Sequence, residues 1–226
     1  MTKLSMMIAL FVVACLLLGP AGSAADQEVN LPDHDSPTLG DATSESEPSV
    51  AVFGSTIVVG WNDTRDPTSQ WVSMGYAFSN DDGATFTNSG FLPPPPGYFY
   101  FGDPSLAVDR AGHFYFAALI IPSPPGPLGI AVSRSTSTNP LRFGPPKLIT
   151  SPAGGSFDKE WIAVDTSGGT FDGRVYVAWT EFTGIDRPTS VFVTHSTRTS
   201  PLSFARPTAL SEPDALNTGA MPAVGP

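Results

Sequence analysis

The sequence predicts an all-β fold: a β-propeller of four-stranded antiparallel blades, with about three blades plus the start of a fourth, an incomplete ring. Three observations predict it. An opening segment recurs as Glu47-Pro48-Ser49-Val50-Ala51-Val52, as Asp103-Pro104-Ser105-Leu106-Ala107-Val108-Asp109 and as Asp158-Lys159-Glu160-Trp161-Ile162-Ala163-Val164-Asp165. Pro48 and Pro104 stand 56 residues apart, and so do Asp109 and Asp165. The composition is turn-rich yet apolar: 22 Gly and 24 Pro accompany 41% hydrophobic and 11% aromatic residues. Disordered chains lack that aromatic and β-branched content. Four short strands per unit at such a period mark a propeller blade. A β-sandwich also strings short strands together, but it does not require one opening segment three times at near-constant spacing.

Residues 1–25 read as a signal peptide. Lys3 gives a positive start, Met6 to Leu18 is an apolar run too short for an ordinary membrane span, and Gly22-Ser23-Ala24-Ala25 supplies small residues for cleavage. The expected localisation is secreted or periplasmic, with no stable membrane span after cleavage. The only cysteine, Cys15, lies within this run, so the mature chain has no disulfide. Three leucines follow Cys15 directly, which argues against a lipoprotein anchor there. Residues 26–45 are polar and aperiodic, a flexible lead-in to a propeller over 46–226. The formal net charge is −10, from 11 basic and 21 acidic residues. Nucleic acid is bound by clustered Lys and Arg, so no nucleic-acid partner is expected.

The first blade spans about 46–92. Thr56-Ile57-Val58-Val59-Gly60-Trp61 has the β-branched content of a strand buried on both faces. Val72 to Phe78 is the third strand and Phe86 to Leu92 the fourth. After Pro93-Pro94-Pro95-Pro96 the second blade covers about 103–149, with His113 to Leu119 and Leu128 to Ser133 as inner strands. The third covers about 158–210. Its Val175-Tyr176-Val177-Ala178-Trp179 matches Ile57 to Trp61, and Pro201-Leu202-Ser203-Phe204 matches Pro140-Leu141-Arg142-Phe143. Residues 219–226 resemble the opening of a fourth copy. Phe86, Phe143 and Phe204 are expected between neighbouring sheets, and Trp61 and Trp179 in packing between blades. The uncovered faces of the first and third blades favour self-association.

The sharpest local motif is Ser79-Asn80-Asp81-Asp82-Gly83-Ala84-Thr85-Phe86. Asp81 can fold its carboxylate onto backbone N–H groups of the turn, Gly83 supplies a positive φ, and Thr85 and Phe86 open the next strand. With Ser79, this pattern resembles the Asp-box of the sialidase-like, or BNR-repeat, β-propellers, and the resemblance covers nearly the whole mature chain at repeat level. No Asp-box stands in the second unit, where neither aspartate nor glycine lies between Ser133 and Phe143. The resemblance implies a glycoside-binding or glycoside-cleaving face at the channel mouth. It also implies an arginine at Ser46 for gripping a sialic acid carboxylate. Here serine stands there, flanked by Glu45 and Glu47. The family's general acid falls in the loop after the second strand of that blade, where Asp66 is the matching candidate beside Asp63. Its later arginines and Tyr–Glu nucleophile pair belong to later blades.

By repeat position, the residues near the channel mouth are Ser46, Glu47, Asp103, Asp158, Lys159, Glu160 and Trp161. Asn62, Asp63, Arg65, Asp66, Glu181 and Asp186 follow the second strands. Arg65, Asp103, Asp158, Glu160 and Trp161 are the binding candidates. Asp158 and Glu160 are candidates for an acid pair, and Trp161, without an aromatic repeat equivalent, for stacking on a ligand. Asn62-Asp63-Thr64 is a glycosylation sequon on paper. His34, His113 and His195 show no metal-ligand spacing, and neither a metal nor a cofactor is implied. The expected function is a non-catalytic module binding a carbohydrate or extracellular protein. The alternative is an exo-sialidase-like glycoside hydrolase whose remaining catalytic residues lie beyond Pro226.

Overall fold

A computed structural model describes residues 29, 45–64, 72–151, 154–183, 189–212 and 217–225. The signal segment, nearly all of the lead-in, His34, Arg65, Asp66 and Asp186 lie outside the described residues.

Three antiparallel sheets follow one another along the chain. The first runs β1 (Glu45–Phe53), β2 (Thr56–Asp63), β3 (Ser73–Ser79) and β4 (Thr87–Phe91) in that spatial order. The second runs β5 (Tyr98–Val108), β6 (Phe114–Pro122), β7 (Gly129–Thr138) and β8 (Leu141–Phe143), with β9 (Lys147–Ile149) also paired to β7. The third runs β10 (Ser156–Val164), β11 (Val175–Phe182), β12 (Thr189–Thr199) and β13 (Leu202–Phe204), with β14 (Thr208–Ala209) also paired to β12. The outermost strand of the second sheet is broken at Gly144-Pro145-Pro146, and that of the third at Arg206-Pro207. Proline cannot donate to a ladder, and an edge strand tolerates the gap.

The cores lie between successive sheets, and β6 feeds both. Its residues alternate with a period of two, as strand geometry requires. Phe114, Phe116, Ala118 and Ile120 enter the core shared with Tyr76 and Phe78 of the first sheet. Tyr115, Ala117 and Leu119 enter the core shared with Phe157, Val177 and Trp179 of the third. A strand covered on both faces has no polar alternation, which is why β6 reads as an unbroken apolar run. Trp179 is fully buried, stacked on Phe192 at 6.0 Å and tilted against Phe157 at 4.8 Å. Trp61 is buried too, but against its own sheet: its indole lies over Gly75 of β3.

The innermost strands β1, β5 and β10 lie side by side. One hydroxyl crosses each gap. Ser49 Oγ accepts the Leu106 N–H at 3.0 Å, and Ser105 Oγ accepts the Ile162 N–H at 3.1 Å. The 56-residue period is therefore a physical contact, because each serine reaches the strand one unit ahead. Leu106, Ile162 and Val164 are buried against the preceding sheet, whereas Val50 and Val52, at the matching positions of β1, are 60% and 54% exposed.

Phe86, Phe143 and Phe204 are half-buried rather than buried. Phe143 does bridge two sheets, edge-on to Tyr76 at 5.3 Å and to Phe116 at 5.8 Å. These phenylalanines sit on or beside short outer strands, where the sheets splay apart and water reaches the rings. Residues 217–225 form no strand, and Met221 is exposed. Gly219 N–H instead meets Thr180 Oγ1 of β11 at 3.3 Å.

Candidate functional site

Each innermost strand carries a bulge. Pairing shifts register between Ser46 and Ser49, between Gly102 and Ser105, and between Asp158 and Trp161. At each bulge a side-chain-bearing residue takes a left-handed backbone: Glu47 with φ 53°, Asp103 with φ 56° and Lys159 with φ 51°. Such values are uncommon outside glycine and mark a constrained position. The three are successive 56-residue equivalents, and the bulges bring their side chains to one place. Gly219, with φ 78°, adds a fourth left-handed residue to the same rim.

A cavity of about 560 Å³ opens at this rim, within the size range of small-ligand sites. Its titratable lining is Glu47, Asp103, Lys159 and Glu160, and its apolar lining includes Trp161 and Met221. Lys159 Nζ pairs with Asp103 Oδ2 at 3.1 Å, joining the second sheet to the third. That partner, with its charge, holds the Lys159 ammonium above its ordinary pKa. Glu47 accepts Asn62 Nδ2 at 2.9 Å. Its pKa is raised, first by the hydrogen bond it shares with the Asp103 carboxyl, then by burial and by Asp103's charge.

Glu160 stands apart. It is 3% exposed, and neither carboxyl oxygen has a hydrogen-bond partner among the described residues. Burial pushes its pKa well above the usual carboxylate value, and the charges of Asp103 and Asp158 push the same way. Asp158 and Glu160 do not form a bonded pair. Asp158 Oδ1 accepts the Lys159 N–H at 2.9 Å. The bulge at Lys159 sends the two side chains apart, and Lys159 reaches Asp103 of the neighbouring sheet. Trp161, by contrast, is 45% exposed and lies at the cavity.

Other candidates are engaged elsewhere. Asp63 is buried and accepts Trp61 Nε1 at 3.3 Å. Glu181 accepts the Ser151 hydroxyl. Ser46 is exposed and pairs with Asn62 across β1 and β2. Asn62 is itself buried, so its side-chain amide is turned away from modification. His113 Nδ1 is bound to Asp109 at 3.0 Å. Among the described residues no cluster of His, Cys, Asp and Glu could hold a metal ion, and no helix is long and apolar enough to cross a membrane.

The turn between β3 and β4 is closed by side chains. Ser79 Oγ accepts the Asp81 and Gly83 N–H groups at 3.2 and 2.9 Å, and donates to Asp81 Oδ1 at 2.7 Å. Asp81 accepts the Thr85 N–H at 2.9 Å and its hydroxyl at 2.7 Å. Gly83 has φ 86°, and Asp82 is also left-handed at 59°. The Ser79 and Thr85 hydrogen bonds draw the Asp81 pKa down to about 2. These residues stiffen a hairpin on the outer side of the first sheet, and none of them lines the cavity.

Three stacked sheets whose innermost strands meet at a cavity define a β-propeller fold. The similarity is one of structure. A Trypanosoma rangeli sialidase in complex with sialic acid aligns with a TM-score of 0.50 at 13% identity, over 72% of this chain and 30% of that one. A Penicillium chrysogenum α-L-arabinanase complexed with arabinobiose gives 0.49 at 13% identity, over 79% and 48%. A GH43 endo-arabinanase from Bacillus licheniformis gives 0.45 at 16%, over 68% and 52%. The chain thus spans 30% to 52% of the length of these solved structures. No protein-family model matches the sequence, and no curated protein matches it.

Proposed function

We propose that this is a secreted, sialidase-like propeller module that binds a glycan or extracellular protein ligand at the cavity without cleaving it. One observation carries the reading. The cavity offers a half-exposed tryptophan beside a single unengaged carboxyl, Glu160. Glycoside hydrolysis needs two carboxyl groups across a pocket, one of them free to act as base or nucleophile, or a Tyr–Glu pair. Glu47 and Asp103 are tied to each other, to Asn62 and to Lys159. A tryptophan face with a polar rim suffices for binding a sugar. Secretion rests on the apolar segment before Ala25, and N-terminal sequencing of the mature protein is expected to start after Ala24 or Ala25. Ser79 to Phe86 is, in this reading, the chain's one Asp-box.

The hydrolase reading keeps one supporting observation: burial raises the pKa of the Glu160 carboxyl, the direction a general acid needs. The family resemblance gives Asp66 as the other candidate for the general acid. The deciding assay is release of a fluorophore from a sialic acid glycoside. No release above Asp66→Ala and Glu160→Gln controls is expected. Release that either substitution abolishes would establish the hydrolase instead.

A further inference from the structure

We infer that the cavity takes a glycan carrying a free amine, with the ammonium against the Glu160 carboxyl and a sugar face on Trp161. This rests on the glycan-binding reading above and names its ligand class. The cavity's titratable lining sets three carboxyls against one ammonium, and that ammonium is spent on Asp103. Asp158 adds a further negative charge close enough to act on Glu160. An acidic ligand such as a sialoside would meet this field with its own charge, and Ser46 offers no cation to offset it.

The buried carboxyl of Glu160 is the second, independent observation. Both of its oxygens are out of solvent contact without a hydrogen-bond partner among the described residues, at the wall of a cavity. Buried polar groups are nearly always satisfied, and an orphan points to an absent partner. A hydroxyl would satisfy one oxygen and leave the surrounding negative field uncompensated. An ammonium brings several N–H donors together with the opposite charge, and it leaves Glu160 ionised by taking the place of its proton. Trp161, next along β10, stands half-exposed at the same cavity and offers the ring face that both a cation and a sugar favour.

The test is calorimetric titration of the full chain, in low salt near pH 6, with a tetramer of glucosamine and with its N-acetylated counterpart. The two share a backbone and differ in charge. The glucosamine tetramer is expected to bind at least about tenfold more tightly, the ratio one charge-assisted hydrogen bond supports. Added salt is expected to weaken it selectively, and E160Q to erase the difference. The salt arm and the two-ligand comparison use the unaltered protein, so the outcome does not depend on the variant folding. Equal or tighter binding of the acetylated tetramer would overturn the amine inference and leave the glycan reading standing. Discrimination that persists in folded E160Q would also overturn it. Binding of neither tetramer would overturn the amine inference, and leave the wider ligand-binding reading to be judged on other glycans and proteins.

Discussion

Replacing Ser105 by alanine removes the buried hydrogen bond from its hydroxyl that ties β5 to β10. The Ile162 N–H would lose its acceptor at 3.1 Å, and both residues are 2% exposed, so water cannot replace the hydroxyl without opening the interface. Orphaning a buried backbone donor costs about 1–3 kcal/mol. With a urea m-value of about 2 kcal/mol/M, the unfolding midpoint would fall by roughly 0.5–1.5 M at constant slope. Ser49→Ala is the internal comparison. Its acceptor geometry is the same at 3.0 Å, but Ser49 is only half-buried beside the exposed Val50, so water can reach the freed N–H of Leu106. A smaller loss, about 0.5–1.5 kcal/mol, is expected there. Equilibrium urea unfolding followed by tryptophan fluorescence measures both. A Ser105→Ala midpoint equal to that of the parent protein would refute the idea that these serines couple neighbouring sheets, as would a larger loss for Ser49→Ala.

Glu160 holds its proton more tightly folded than unfolded, so the stability it contributes is complete below its ordinary pKa of 4.5 and is lost as pH rises towards the higher folded value. Glu160→Gln is expected to flatten that decline as pH rises above 4.5, and parallel curves for the two proteins would contradict the assignment. Asp81 is shifted the other way: its contribution is present above 3.8 and fades as pH falls through about 2. A carboxyl NMR titration should place its midpoint near that lower value, and an ordinary midpoint would mean the Thr85 and Ser79 hydrogen bonds do not persist in solution. Gly60→Ala would put a Cβ 2.5 Å from Cε2 of Phe116 across the first interface. Overpacking of this kind costs about 1–3 kcal/mol, and an unchanged melting temperature would show that the Phe116 ring yields freely.

Much of the fold was legible because its cause repeats. Apolar alternation and a constant period report on strands that each meet the same kind of neighbour, and β6 announced its double burial through an unbroken run from Phe114 to Ile121. The half-burial of Phe86, Phe143 and Phe204 was not legible, because it depends on how far the sheets splay at their outer strands. The site was legible as a location and not as chemistry. Repeat position put Asp103, Glu160 and Trp161 near the channel mouth, and the structure places all three at the cavity. The left-handed bulges at Glu47, Asp103 and Lys159 left only the 56-residue spacing of three dissimilar residues as a signal. The Asp103–Lys159 pair joins groups 56 residues apart, and the isolation of Glu160 arises from packing of strands distant in sequence, which no local motif encodes.

The dual role of β6 has a consequence for how damage spreads. Its even-numbered side chains belong to one core and its odd-numbered ones to the other. Deleting a single residue from its middle would exchange the two sets beyond that point, presenting Tyr115-type shapes to a space built for Phe116 and the reverse. Both interfaces would fail together. The same deletion in β8 or β13, three-residue strands at the periphery, would disturb one margin of one sheet. Thermodynamically, the first and third sheets are coupled through a strand that belongs to neither, so the middle sheet sets the size of the unit that melts cooperatively.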